Sequence, residues 1–213
     1  MQGASGSLPP LVSSYLGFAE TNSGSVLTKA GLDLGAAPSG GVKKWILIGA
    51  HSRVYATIDD VTVGGVSASQ FAVYQGSEQM FWAIVESSLT SADVVVDYAS
   101  NSEKHGFGVW SILAGSGVDM TLNADLVQNG TDNHSIFVPE GGACFSTLFV
   151  DGGSTASYTA GLTTRFTNSF GGSNERSAGG SDDFAAEQNN LTVSVSGSSD
   201  SLSTISFGPK GFE

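Results

Sequence analysis

The sequence has little cysteine and little positive charge. Cys144 is the single cysteine among 213 residues, which excludes a disulfide within the chain. Lysine and arginine together number 8 against 20 aspartates and glutamates, and the formal net charge is −12. Because an acidic surface repels phosphate groups and anionic headgroups, we expect neither a nucleic-acid partner nor docking on an anionic membrane.

Long apolar runs are also missing. No stretch approaches the roughly 20 apolar residues that a membrane-spanning helix requires, so we expect no membrane insertion. Residues 1–7 lack both the basic region and the apolar run of a secretory signal peptide. The sequence therefore predicts synthesis in the cytoplasm, without secretion by a signal peptide.

Charged residues make up only 13% of the chain, whereas hydrophobic residues make up 40%. The surfaces of amphipathic helices favour Lys, Glu, Arg and Gln, so this composition predicts almost no helix. Short runs of β-branched and aromatic residues alternate instead with clusters of Gly, Ser, Asn and Asp. This alternation is typical of an antiparallel sandwich or barrel.

These runs predict an all-β fold, namely a single antiparallel β-sandwich of jelly-roll or Ig-like type with about 10–12 strands. All-β domains of this length commonly form one unit, and we assign residues 11–213 to it. Residues 1–10 are small, end in Pro9-Pro10 and are predicted to form a flexible N-terminal arm. No internal repeat at a fixed period is visible.

Two predicted strands are apolar on both faces. In residues 43–55, Trp45 and Leu47 share one face and Ile46 lies on the other, and residues 79–86 show the same pattern. Strands of this kind are covered on both sides. The pattern indicates a sandwich with an added layer, or a surface packed against other subunits.

The C-terminal part predicts one loop and one hairpin. Residues 171–183 are rich in Gly, Ser and Asp and are predicted to form a surface loop. The last two apolar runs, residues 191–195 and 202–207, are predicted to pair as a hairpin across the intervening turn.

No constellation of catalytic or metal-ligating residues stands out. Cys144 lies in a predicted strand and is expected to be a small buried hydrophobe, because a nucleophile would need a partnered histidine. His51, His105 and His134 have no metal partner at helical spacing. We therefore predict no catalytic, cofactor-binding or metal-binding residue, no cofactor and no enzyme activity.

The acidic pairs leave an alternative open. Asp59-Asp60 and Asp182-Asp183 supply oxygen atoms of the kind that calcium prefers. They are already explained as turn residues, which we favour. Paired carboxylates for glycoside hydrolysis depend on spatial separation, and nothing in the sequence marks such a pair.

The aromatic residues divide into two groups. Trp45, Trp82 and Trp110 lie in predicted strands with apolar neighbours and are expected in the core. Tyr158 and Phe170 have polar neighbours and are better candidates for exposed contact with a sugar.

Several segments, taken in order, resemble a known group of proteins. They are Lys43-Lys-Trp-Ile-Leu-Ile-Gly-Ala-His, Val61-Thr-Val-Gly-Gly-Val, Gly106-Phe-Gly-Val-Trp-Ser-Ile-Leu, Pro139-Glu-Gly-Gly-Ala-Cys-Phe and Ala160-Gly-Leu-Thr-Thr-Arg-Phe. This succession resembles a loose, largely uncharacterised group of β-sandwich structural proteins from tailed bacteriophages and prophages. The resemblance spans residues 26–209 and concerns fold rather than catalysis, so no functional residue is carried over.

The resemblance implies a non-enzymatic virion protein whose partners are capsid or tail subunits and which forms a homo-oligomer. One compact domain with a short arm favours a head decoration or spike protein that docks on the capsid. The alternatives are a tail or receptor-binding component and a carbohydrate-binding module that binds a host-surface glycan. The expected location in each phage role is the virion.

Overall fold

The computed structural model describes residues 8–53, 58–75, 79–99, 104–129, 133–150, 156–170, 175–196 and 201–211. These residues form 17 β-strands and no helix, which confirms the all-β prediction. The strands are more numerous than the about 10–12 that the sequence pattern predicted. Residues 1–7 of the predicted arm lie outside the described residues. No described segment forms a helix with the length and apolar character needed to cross a membrane.

The strands fall into two consecutive sets. The first half, residues 12–114, contains β1 (Val12–Thr21), β2 (Val26–Asp33), β3 (Lys43–Ser52), β4 (Ile58–Val63), β5 (Val66–Ser67), β6 (Ser69–Gln75), β7 (Gln79–Glu86), β8 (Ser91–Tyr98) and β9 (His105–Ala114). The second half, residues 118–211, contains β10 (Val118–Asn129), β11 (Asn133–Val138), β12 (Gly142–Val150), β13 (Tyr158–Ala160), β14 (Thr163–Ser169), β15 (Arg176–Phe184), β16 (Gln188–Val195) and β17 (Ser201–Gly211).

Each half consists of one five-stranded sheet and one smaller sheet. We call the five-stranded sheet of each half the inner sheet and the smaller one the outer sheet. The first inner sheet has the order β1-β9-β3-β7-β6, and the first outer sheet has the order β2-β8-β4-β5. The second inner sheet has the order β10-β17-β12-β15-β14, and the second outer sheet has the order β11-β16-β13. All pairings between described strands are antiparallel.

Three buried apolar clusters show that the sheets stack in four layers. Val96 and Phe107 belong to the cluster between the first outer and first inner sheets. Trp110 and Phe145 belong to the cluster between the two inner sheets. Val193 belongs to the cluster between the second inner and second outer sheets. The inner sheets are therefore covered on both faces, which explains why β3, β9, β12 and β17 are buried almost throughout.

The two halves have the same topology. When β1, β2, β3 and β4 are matched with β10, β11, β12 and β13, and β6 to β9 with β14 to β17, both the inner and the outer sheet orders coincide. The short β5 is the one described strand without a counterpart. In both halves the last strand of the half, β9 or β17, lies inside the inner sheet between two neighbours.

The irregularities of the ladders repeat as well. Register shifts occur in the β1–β9, β2–β8, β4–β8 and β6–β7 pairs of the first half. They occur in the matching β10–β17, β11–β16, β13–β16 and β14–β15 pairs of the second half. A β-bulge bends its strand and increases the local twist. In three of the four matched pairs the extra residue lies on the corresponding strand, namely on β1 and β10, on β4 and β13, and on β6 and β14. The structure is thus repeated although the sequence shows no repeat.

Two predictions for the C-terminal part, the hairpin and the surface loop, are wrong. The predicted hairpin does not form, because β16 pairs with β11 and β13 whereas β17 pairs with β10 and β12. The predicted loop is mostly strand β15, and residues 171–174 lie outside the described residues. Its glycines are required by packing, because a Cβ at Gly180 would lie 2.8 Å from the ring of Tyr158. The assignment of one unit from residue 11 onward stays a prediction.

One buried and one exposed hydrogen bond join the two halves. The indole Nε1 of Trp82 donates to Ser203 Oγ at 2.7 Å, inside the interface between the inner sheets. At one edge, the backbone N–H of Ser13 donates to the Asp183 carboxylate at 2.9 Å. Together with the apolar cluster between the inner sheets, these bonds give the halves a continuous packed interface.

The centre of this interface predicts a large effect for a small substitution. A Cβ at Gly49 would lie 2.7 Å from Thr147 Cγ2 and 2.7 Å from the Trp82 ring. Because both neighbours are packed, we expect Gly49→Ala to lower the free energy of unfolding by about 2 kcal/mol in urea titrations.

Two controls accompany this prediction. Thr147→Ser removes the methyl group in conflict, so the double variant should recover part of the loss. Gly211→Ala, whose Cβ would lie 3.7 Å from its nearest neighbour Leu8, should change stability by at most about 0.5 kcal/mol. Equal losses for Gly49→Ala and Gly211→Ala would contradict the close packing of the inner sheets.

Candidate functional site

An apolar groove of about 260 Å³ opens at one edge of the interface between the inner sheets. Both halves contribute to it, and six side chains line it: Trp45, Phe71, Ile84, Met120, Leu122 and Phe207. A concave apolar surface with few polar groups is the usual form of a binding site. This groove is therefore the candidate functional site.

Two edge strands form the walls of the groove. β6 is the edge of the first inner sheet, and β10 is the facing edge of the second. Trp45 and Phe207 belong to the interface cluster and form the floor. The rings of Phe71 and Phe207 meet edge to face, with centroids 6.1 Å apart. Leu122, on β10, is 41% exposed and lies at the mouth.

A charged group stands at the rim. Lys43 Nζ lies 2.8 Å from Asp119 Oδ2 and 5.5 Å from the centre of the Trp45 ring. The hydrogen bond to Asp119 raises the pKa of Lys43. The rim thus carries a cation over an aromatic face, and this arrangement joins the first half to the second.

A second lysine is buried beside the first. Lys44 is 1% exposed, since β3 turns it toward the first outer sheet. Its ammonium donates to backbone carbonyls of Leu34 at 3.1 Å, Ala36 at 3.0 Å and Leu89 at 2.8 Å, with a longer contact to Gly35 at 3.4 Å. Burial lowers the pKa of this amine. Lys44 therefore ties two loops of the first half together.

An ionic cluster around the buried Glu175 lies at the end of the interface where β3 finishes and β15 begins. Glu175 Oε1 lies 2.5 Å from Arg53 Nη1, and Glu175 Oε2 pairs with Lys104 Nζ. The Glu175 side chain is 3% exposed, so its charge depends on these partners. Lys104 has φ +64°, a left-handed conformation that is unusual for a residue with a side chain. The cluster links the second half to the one end of the β3–β9 pair where β3 finishes and β9 begins.

Two histidines lie near this cluster on opposite faces of the first inner sheet. His51 packs between the rings of Phe149 and Phe170, at centroid distances of 5.7 Å each. His105 packs on Tyr98 at 4.1 Å. Burial, with a contribution from His105, lowers the pKa of His51 to about 3. His51 is therefore neutral over the physiological pH range.

The third histidine belongs to a buried hydrogen-bond chain between the second inner and outer sheets. His134 Nε2 lies 2.6 Å from Thr204 Oγ1, which donates to Ser146 Oγ at 2.9 Å. Ser146 in turn donates to the carbonyl of Ser203 at 2.8 Å. Burial lowers the pKa of His134 to about 4. This chain crosses from one layer to the next and has a structural role.

The structure confirms the core assignments made from the sequence. Cys144 is fully buried, and burial raises the pKa of its thiol. Trp82 and Trp110 are fully buried, and Trp45 is 8% exposed. No group of three or more His, Cys, Asp or Glu side chains that could hold a metal occurs within the described ranges.

The two aromatic residues predicted to be exposed lie in the interior of the protein. Tyr158 and Phe170 are buried, so their assignment as exposed sugar contacts is wrong. Tyr158 is followed on β13 by two exposed residues, and Phe170 directly follows β14 and packs on the ring of Phe149.

The acidic pairs lie in strands rather than turns, so that interpretation is also wrong. Asp59 and Asp60 belong to β4, and Asp182 and Asp183 belong to β15. Asp182 accepts a hydrogen bond from the backbone N–H of Thr163 at 2.6 Å. Asp182 therefore secures the edge strand β14 against β15.

Sequence reasoning missed the groove. Apolar Val118, Met120 and Leu122 alternate with polar Asp119 and Thr121, and this period of two would have identified β10. No local signal shows that the edge of β10 meets β6, because that contact arises from the stacking of the two halves.

Comparison with known proteins gives one structural likeness. No family model matches the chain, and no curated protein matches it. A solved structure entitled "Crystal structure of PBSX exported protein XepA" is similar over 93% of this chain and 86% of that chain, with 11% sequence identity and a TM-score of 0.31. A likeness of this strength does not define a family for the chain.

Proposed function

We propose that this protein is a non-enzymatic structural component of a bacteriophage particle, and specifically a decoration or spike protein that docks on the head. The observation that carries the proposal is the four-layer stack of sheets with an open apolar groove at its edge. Such a stack is a rigid body, and the groove gives it a surface for attachment. The sequence resemblance to phage structural proteins supports the same role.

The buried groups fit a scaffold better than a reactive site. Lys44 and Glu175 each hold several chain segments in place through their charges. The histidine chain of the second half holds two layers together. In each case the polar group is used to fix the fold. The partners in this proposal are capsid or tail subunits and further copies of the chain, and the location is the virion.

The proposal is tested on purified particles. Mass spectrometry of salt-washed virions should detect the protein at a stoichiometry comparable to that of a capsid subunit, and immunogold labelling should mark the head. Label confined to the tail would refute the head location and favour a tail or receptor-binding component. Absence from washed particles would refute the structural role.

A further inference from the structure

The two edges of the interface between the inner sheets are equivalent by topology. β1 corresponds to β10, and β14 corresponds to β6, because the two halves share one strand order. The edge where β1 meets β14 is therefore the counterpart of the edge where β10 meets β6. Any difference between the two edges arises from side chains rather than from the fold.

Tyr15 and Leu122 occupy the same place in the two halves. Each is the last residue before the register shift of its strand, at Tyr15/Gly17 in β1 and at Leu122/Ala124 in β10. Tyr15 pairs with Trp110 of β9, and Leu122 pairs with Phe207 of β17. An aromatic residue at the first edge is thus matched by a shorter aliphatic residue at the second.

The first edge is filled by aromatic rings. The ring of Tyr15 stacks on Phe166 at 5.7 Å and meets Trp110 edge to face at 5.9 Å. Phe18 stacks on the same Phe166 at 5.2 Å. At the second edge Leu122 leaves the groove of about 260 Å³ open over an aromatic floor. The groove lies where the other half has a ring.

We propose that the groove receives an aromatic side chain from an extended segment of a partner protein. The volume is below the about 300 Å³ at which pockets for whole small-molecule ligands begin, and it suits one ring. The floor, Trp45 and Phe207, is continuous with the interface between the halves, so an inserted ring would extend a packing arrangement already present.

The backbone beside the groove fits an extended partner. β6 and β10 are edge strands, and an edge strand offers N–H and C=O groups to an added strand. An aromatic side chain on that added strand would enter the groove beside Met120 and Leu122. The inference concerns the groove alone and holds for any partner, inside or outside a particle.

Two peptides with one difference test the inference. The probe is Ac-Gly-Thr-Thr-Tyr-Thr-Thr-Gly-NH2, and its control carries Leu in place of Tyr. We follow the methyl NMR signals of Met120 and Ile84, which line the groove. The Tyr peptide should shift both signals and bind about tenfold more tightly than the Leu peptide, as aromatic pairing beyond area burial implies. Equal affinity of the two peptides would overturn the aromatic assignment.

A pair of variants tests the location. Leu122→Tyr places in β10 the residue that β1 has, so it should fill the groove and abolish binding of the Tyr peptide. Val26→Tyr adds the same ring at a position on β2 that is 52% exposed, and it should leave binding unchanged. Undiminished binding to Leu122→Tyr would overturn the proposal.

The opposite substitution and a self-association test complete the experiment. Tyr15→Leu should open a second groove, and the Tyr peptide should then bind at two sites instead of one. Sedimentation of the wild-type chain distinguishes a partner protein from a second copy. Self-association that Leu122→Tyr abolishes would overturn the partner-protein occupant, whereas a monomer that binds the Tyr peptide supports it.

Discussion

Lowering the pH from 6.5 to 4.5 should reduce the free energy of unfolding by about 4 kcal/mol, above the ordinary pKa values of most carboxylates. The pKa of His51 is about 3 and that of His134 about 4 in the folded protein, against 6.5 in the unfolded chain. The unfolded state therefore binds more protons throughout this interval. This contribution to stability is fully present above pH 6.5 and is lost progressively as the pH falls from 6.5 to the folded values.

The surroundings of each histidine explain why a proton is costly there. His51 lies between two phenylalanine rings, and its Nε2 has no hydrogen-bond partner among the described residues. His134 uses Nε2 on Thr204, and its Nδ1 likewise has no partner in the described part of the chain. Each histidine should contribute about 1.4 kcal/mol per pH unit to the slope.

Urea unfolding at constant ionic strength between pH 7 and pH 4 measures this slope. His51→Leu removes one titrating group, and His134→Gln removes the other while keeping a donor near Thr204. Each single variant should have a slope smaller than that of the wild type by about 1.4 kcal/mol per pH unit, and the double variant should lack both contributions between pH 6.5 and 4.5. A double variant with the wild-type slope would show that other groups control acid unfolding.

Lys44→Met should lower the free energy of unfolding by about 3 kcal/mol, while Lys43→Met should cost at most about 1 kcal/mol. The two lysines are adjacent in sequence, yet Lys44 is 1% exposed and the Lys43 side chain is 28% exposed. Methionine keeps the packing of the aliphatic stem. Methionine at this position leaves the buried carbonyl of Leu34 and the part-buried carbonyl of Leu89 without their donor.

The adjacent lysine serves as the matched control. Both variants remove one positive charge from the same strand, so general electrostatic effects cancel in the comparison. Midpoints and slopes from urea titrations at pH 7 give the two free energies. Equal losses for the two variants would show that the carbonyl contacts of Lys44 add nothing beyond its charge.

Much of the secondary structure could be predicted because it depends on local patterns. The apolar character of both faces of residues 43–55 and 79–86 correctly indicated coverage on both sides of β3 and β7, although β3 ends at Ser52 and residues 54–55 lie outside the described residues. The cover consists of the first outer sheet on one face and the second inner sheet on the other. The burial of Cys144 and Trp82 followed from apolar neighbours in a strand. Both predictions depend only on the residue types within a few positions along the chain.

The pairing of strands could not be predicted in the same way. Residues 191–195 and 202–207 looked like a hairpin because they are adjacent and share a period of two. In the structure they lie in different layers, since each buries its apolar face only by joining a different sheet. The groove forms only where one half stacks on the other, and no local sequence pattern predicts that stacking.

The position of the last strand in each half sets the order in which the protein can be completed during synthesis. β9 lies between β1 and β3, and β17 lies between β10 and β12, so neither inner sheet closes until its final strand has left the ribosome. Pairings between such distant segments are slow to form because a long loop must close first. We therefore expect the first inner sheet to be complete once residue 114 has emerged, and its apolar face to provide the surface on which the second half then packs.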